Sequence, residues 1–157
     1  MCLVLDANSF PAVFRTDTVD HKQFRPVTKW IMGGPGFLVY GGTTYKNELR
    51  EMSKYWSLVL ELKKRGRVKE INDNVVNKHE RKVKLLVGTC DCDDCHIIAI
   101  FRASGCQLLC SKDRRADKYI KKKTLYDGGQ TPPAIYRSIK HVTLLCKERI
   151  VNLRNLV

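Results

Sequence analysis

The stretch "DCDDCHIIAIFRASGCQLLCSKD", residues 91–113, sets four aspartates and four cysteines around an apolar middle. Asp94 stands where a helix N-cap belongs. Ile97, Ile98, Phe101 and Arg102 continue a helical run, and Gly105 stops it. "CQLLC" (106–110) then reads as a strand that ends near Asp113. An apolar helix followed by an apolar strand is the repeating unit of a parallel sheet covered on both faces.

The same phrase recurs outward from this stretch. "CLVL" (2–5) is a short buried strand ending at Asp6. Residues 18–32 predict a helix containing Pro26, with Phe24, Val27, Trp30 and Ile31 as its apolar stripe. "GGPG" (33–36) is a turn, and "FLVY" (37–40) a second strand. Residues 43–64 predict one long helix with Tyr45, Leu49, Met52, Trp56, Val59 and Leu60 on one face. "VKEI" (68–71) is a third strand candidate. Residues 73–87 read as a helix aligned on Val75, Val76, His79, Val83 and Leu86. "PAIYRSI" (133–139) supplies a last strand and 140–155 a closing helix. No repeat or low-complexity linker interrupts the pattern, so we expect a single domain over 1–157. The expected architecture is a three-layer α/β/α sandwich around a central, mainly parallel sheet.

Composition narrows the partners. The 157 residues are 43% hydrophobic, enough for a packed core, and carry 29 Lys and Arg against 16 Asp and Glu, a net charge of +13. Such a charge favours a polyanionic partner, nucleic acid ahead of an anionic membrane or a merely solvated basic surface. No apolar run is long enough to span a bilayer. The start, "MCLVLDANSF", lacks a basic region and a cleavage pattern, so no signal peptide is expected. The seven cysteines are then expected as free thiols in a cytoplasmic setting.

Four acids stand out. Asp6 and Asp113 follow strands, Asp94 starts a helix, and Glu48 lies early in the helix after the second strand. Open parallel sheets bind ligands beyond the carboxyl ends of their strands, so these acids belong on one rim. Converging carboxylates repel unless protonated or bridged by a cation, and an all-oxygen donor set suits Mg²⁺ or Mn²⁺. Each acid alone also has an ordinary explanation as a cap, a strand end or a dipole partner.

Taken in order, these motifs resemble the PIN-domain ribonucleases. "LVLDAN" gives Asp6 and Asn8, "YGGTTYKNEL" gives Glu48, and "DDCHIIAIFRASGCQLLCSKD" gives Asp94, Gly105, Ser111 and Asp113. The tail "AIYRSIKHVTLL" is similar to the last strand and helix of some bacterial members. The resemblance implies a metal-dependent endoribonuclease. Asp6, Glu48, Asp94 and Asp113 would hold the metal, and Asn8, Asp93 and Ser111 would support them. Asp91 or Asp93 could replace or assist Asp94, and Cys95 stands where many relatives carry proline or a small residue. It further implies RNA as partner, with single-stranded DNA as an alternative. Many small members are toxins held by an antitoxin protein, often as homodimers; a defence or housekeeping role is equally compatible.

"KDRRADKYIKKK" (112–123) holds seven cations among twelve residues. Arg114, Arg115, Lys118, Lys121, Lys122 and Lys123 would track phosphates, and Tyr119 would stack on an unpaired base. The competing view is a solvated face. Lys63, Lys64, Arg65 and Arg67 form a second basic cluster with a weaker claim to the site. Two other function classes stay open. One is a non-catalytic nucleic-acid-binding module on the same fold. The other is a zinc-stabilised interaction protein using Cys90, Cys92, Cys95 and His96. The bunched ligands argue against zinc, which favours two separated pairs. A redox switch among those cysteines lacks any sequence sign of a low thiol pKa. His79, on an apolar face, reads as a core histidine.

Overall fold

The computed structural model describes residues 1–88 and 92–145. Five strands form one sheet: β1 (Cys2–Leu5), β2 (Phe37–Gly41), β3 (Val68–Ile71), β4 (Leu108–Cys110) and β5 (Ala134–Tyr136). They run in the order β3-β2-β1-β4-β5, and every neighbouring pair is parallel. Helices flank the sheet, giving the expected α/β/α sandwich. The two central strands are buried along their whole length, as sheets covered on both faces require. β3 at the edge is only partly buried.

The helices are α1 (Phe10–Phe14), α2 (His21–Met32), α3 (Thr43–Glu51), α4 (Ser53–Lys64), α5 (Asp73–Val87), α6 (Cys95–Ser104) and α7 (Asp117–Ile120). α6 is buried on every side, between the sheet and α5, which is why its sequence is apolar all round. Gly105 ends it at φ 67°, a left-handed conformation that glycine adopts without strain. On the opposite face the rings of Phe10 in α1 and Tyr55 in α4 lie 5.7 Å apart and tie those helices together.

Several expectations change. The helix over 43–64 breaks at Met52, whose φ and ψ of −102° and 68° leave the helical region. The break rotates the second half, so Tyr55, Val59 and Leu62 enter the core while Leu60 turns to solvent. α2 starts at His21 rather than 18, and Pro26 lies inside it. In α5 the buried face is Val76, Glu80 and Val83, whereas Val75 and Leu86 are exposed. His79 is half-buried and accepts a bond from Arg102 Nε at 3.2 Å, with Asp127 beyond. The closing segment over Ile139–Leu145 is a 3₁₀ helix. The remainder of that predicted helix, together with Cys90, Asp91 and Cys146, lies outside the described residues. Among the described residues no helix is long and apolar enough to cross a membrane.

Candidate functional site

The chain builds the sheet outward from β1 through β2 to β3, then returns to place β4 on the other side of β1. The order therefore reverses between β1 and β4, the place where an open parallel sheet forms its ligand crevice, and a crevice lies there, lined by residues that follow both strands. Asp6 follows β1, and Ser111 and Asp113 follow β4. The backbone stitches the two ends: Asp6 N–H donates to the Cys110 carbonyl at 3.0 Å, and Lys112 N–H to Ser9 Oγ at 2.9 Å.

Asp6 is the best-anchored acid. Ser111 Oγ donates to its Oδ2 at 2.8 Å, and Asn8 N–H to its Oδ1 at 3.3 Å. Burial raises its pKa above the ordinary carboxylate value. The Ser111 and Asn8 donors oppose that rise, and the charges of Asp113 and Glu48 add to it. Asn8 thus contributes its amide proton to Asp6, while the residue itself lines the crevice.

Asp94 occupies the N-cap of α6, but its side chain makes no capping bond. Its carbonyl accepts Ile97 N–H at 3.0 Å instead. The carboxylate is left to line the crevice beside Asp6, Glu48 and Asp93. Its pKa is also raised, by burial first and then by the charges of Asp6, Glu48 and Asp113, with His96 opposing.

Glu48 reaches the rim through α3. The Tyr45 hydroxyl donates to the Leu5 carbonyl and pins the first turn of α3 to the end of β1. Glu48 lies three residues on, so the same helix face presents it to the crevice. Its Oε2 sits 3.1 Å from Nε2 of His96, which is itself 2% exposed. The contact is close but poorly aligned, and His96 Nδ1 has no hydrogen-bond partner. Burial works against charge on His96, yet Glu48, Asp94 and Glu80 together hold its pKa above the ordinary value. A proton on the unpartnered Nδ1 would be buried and unsatisfied, which opposes that pull.

Asp113 is held differently. Arg115 grips it with its backbone N–H at 2.8 Å and its guanidinium at 2.5–3.1 Å. Those bonds and the Arg115 charge keep the Asp113 pKa below the ordinary value. Arg137 supports the turn from beneath, donating to the Asp113 carbonyl at 2.7 Å and bonding Asp117.

The crevice is lined by Asp6, Asn8, Glu48, Asp93, Asp94 and Asp113, with Arg115, Lys118 and Tyr119 on its basic side. The basic run of 112–123 therefore divides. Arg115, Lys118 and Tyr119 face the acids, and Lys118 Nζ lies 4.8 Å from the centre of the Tyr119 ring. Arg114 and Lys121 border a neighbouring groove with Arg137 and His141. Lys122 and Lys123 are exposed and line neither. In the second basic cluster Lys63 bonds Glu70, Arg65 bonds Glu61, and Arg67 bonds the carbonyls of Ile31 and Gly34, so these cations are engaged locally.

The donor chemistry of the crevice suits a hard divalent cation, because every acidic donor is carboxylate oxygen and two of the acids resist ionising without a counter-charge. Among the described residues, however, no three His, Cys, Asp or Glu side chains are gathered tightly enough to clasp one ion as they stand. Glu48 against His96 and Asp113 against Arg115 are the two acids with competing partners. Sequence reading missed Tyr45, Ser9 and Arg137 as the supports of this site. Of these, only Tyr45 left a signal, its three-residue spacing from Glu48.

No family model matches this chain, and no curated protein or solved structure proved similar to it. Fold and crevice together define an α/β protein with an acidic pocket, set at the reversal point of a parallel sheet and rimmed by cations.

Proposed function

We propose that the protein is a Mg²⁺- or Mn²⁺-dependent nuclease acting on RNA in the cytoplasm, as its resemblance to PIN-domain ribonucleases implies. The observation that carries this reading is the pairing of Asp6 and Asp94. Both line one crevice, and both have pKa values raised by burial and by neighbouring carboxylates, within a chain of net charge +13. Acids concentrated in one pocket of so cationic a chain support the reading that the pocket takes a positive ligand. Asp6, Glu48, Asp94 and Asp113 would hold the ion, which supplies Lewis acidity toward the phosphodiester. Ser111 fixes the direction of Asp6. Arg115 and Lys118 meet phosphate oxygens on the incoming strand, and Tyr119 offers a ring on which a base can stack. An antitoxin partner or a homodimer follows only if the chain is of the toxin type.

The grip of Arg115 on Asp113 favours a second reading, a non-catalytic module that binds nucleic acid on the same rim. Incubating labelled single-stranded RNA with and without Mn²⁺, alongside Asp6→Asn and Asp94→Asn, separates the two. Metal-dependent cleavage by wild type that both variants lose supports the nuclease. Binding with no cleavage in any metal supports the module.

A further inference from the structure

At the opposite end of the same two central strands lies a second chemical feature. Sγ of Cys2, which opens β1, is 3.2 Å from Sγ of Cys106, just before β4. Both residues are 4% exposed, and both are free thiols. The register of β1 and β4 pairs Val4 with Leu109 and Leu5 with Cys110, so it fixes the starts of the two strands relative to each other. The Cys106 thiol also lies 3.2 Å from the Cys2 carbonyl, which holds its sulfur against the start of β1. A small cavity lined by Phe101, Gly105, Gln107, Tyr126 and Gln130 reaches Cys106 from outside.

We propose that Cys2 and Cys106 form a site of reversible oxidation, in which a small hydroperoxide entering through this cavity converts the pair to an intramolecular disulfide. The sulfur of Cys106 attacks the peroxide, breaking the O–O bond and leaving Cys106 as the sulfenic acid with release of water. The sulfur of Cys2 then attacks the Cys106 sulfur and expels a second water. Two thiols and one hydrogen peroxide give one disulfide and two waters, with two electrons passing from sulfur to peroxide. The cavity reaches the sulfur of Cys106, with the sulfur of Cys2 3.2 Å from it, so Cys106 is the sulfur that meets the oxidant first. The size of the cavity and the burial of both sulfurs select a small oxidant over a bulky disulfide such as oxidised glutathione. The bridge would join positions 104 residues apart and staple β1 to β4 at the edge of the sheet away from the crevice.

Among the described residues Cys92 and Cys95 are the competing pair, at a C-x-x-C spacing that brackets Asp93 and Asp94. Neither of them lines the crevice or the cavity that reaches Cys106.

The test uses the full-length reduced protein, treated with excess hydrogen peroxide, then denatured, alkylated and mapped as tryptic peptides. The expected product joins the peptide of residues 1–15 to that of residues 103–112, through Cys106 rather than Cys110 by fragmentation. Dithiothreitol should reverse it. The oxidised protein should melt higher than the reduced one by roughly 5 °C or more, since cross-linking a long loop constrains the unfolded chain. Full alkylation of Cys2 and Cys106 after peroxide would overturn the proposal. So would a bridge confined to Cys92 and Cys95. Mapping wild-type protein keeps the result independent of whether a serine variant folds.

Discussion

Replacing Ser111 by alanine removes one hydroxyl and two bonds. Ser111 Oγ donates to Asp6 Oδ2 at 2.8 Å and accepts Asp113 N–H at 3.1 Å. Ser111 is 3% exposed and Asp6 8%, so water replaces neither bond easily. A lost bond to a buried charged group costs about 1.5–3 kcal/mol, and a weakened amide partner adds about 0.5–1. The expected loss at neutral pH is therefore roughly 2–4 kcal/mol, or roughly 5–15 °C in Tm for a domain of this size. The pH dependence is the sharper signature. The hydroxyl favours ionised Asp6 and opposes the rise that burial imposes, so its removal pushes the Asp6 pKa higher still. A folded-state pKa raised above the unfolded value means that the native state binds the extra proton. That contribution is present at low pH and lost as pH rises through the folded pKa. The variant carries the larger rise, so it falls further behind wild type as Asp6 ionises. Near pH ~4 the gap should shrink toward the roughly 1 kcal/mol of a neutral bond, and near pH ~8 it should be full. Urea melts across that range measure it. A gap that does not change with pH refutes the bond between Ser111 and ionised Asp6.

Three further outcomes follow from the same geometry. Asp94→Asn should abolish Mn²⁺-dependent cleavage while the metal-free Tm holds or rises at neutral pH, because a charge that burial disfavours has gone; Asp93→Asn should keep partial activity, and equal loss in both would show that the two acids share the role. Lys118→Ala should flatten the salt dependence of RNA binding by roughly 0.7 in log–log slope, whereas Lys122→Ala with Lys123→Ala should leave it nearly unchanged; the reverse pattern would move the RNA track off the crevice. Arg115→Ala should tighten Mn²⁺ binding in the absence of RNA and weaken RNA binding, with calorimetry and a filter assay reading the two; a change of the same sign in both would mean that Arg115 does not bridge them.

Much of the fold was legible because its signals are local. Apolar runs at 2–5, 37–40 and 106–110 became β1, β2 and β4, and Gly105 ended α6 as its position requires. The break at Met52 was not legible. An uninterrupted stripe from Tyr45 to Leu60 fits one straight helix, and only tertiary packing, with Tyr55 against Phe10 of α1 and α4 against β3, makes Tyr55 and Leu62 the buried choice. The membership of the crevice could be read from acids at strand ends and helix starts. Its supports mostly could not: Ser9 and Arg137 act through bonds to backbone atoms far away in sequence, which leave no periodic trace, and only the spacing of Tyr45 from Glu48 hinted at its role. The basic run shows the same limit. Composition gave seven cations in a row of twelve, but the short turn of α7 directs Lys118 and Tyr119 into the crevice and sends Lys121 to the next groove.

The acids of the crevice fall into two kinds, and the difference bears on how an RNA nuclease with this site would work. Among the described residues no cationic side chain bonds Asp6 or Asp94, and burial keeps both reluctant to ionise. Asp113 already has a cation, because Arg115 neutralises it on a side chain 86% exposed to solvent. An exposed pair of this kind is weak in water and yields readily to a stronger partner. A phosphodiester is such a partner for a guanidinium, which grips phosphate through two parallel N–H bonds as well as it grips a carboxylate. The arrival of a substrate phosphate at Arg115 would therefore release Asp113 toward the crevice, where its charge adds to those of Asp6 and Asp94. Each added carboxylate charge makes a divalent cation more favourable and a proton more favourable too, so the metal must outcompete the proton at both buried acids. In such a nuclease metal and RNA would bind with positive coupling that runs through one arginine, and the coupling would be reciprocal by linkage. It would also fit the absence of a ready-made ligand cluster among the described residues, since Arg115 holds the carboxylate of Asp113.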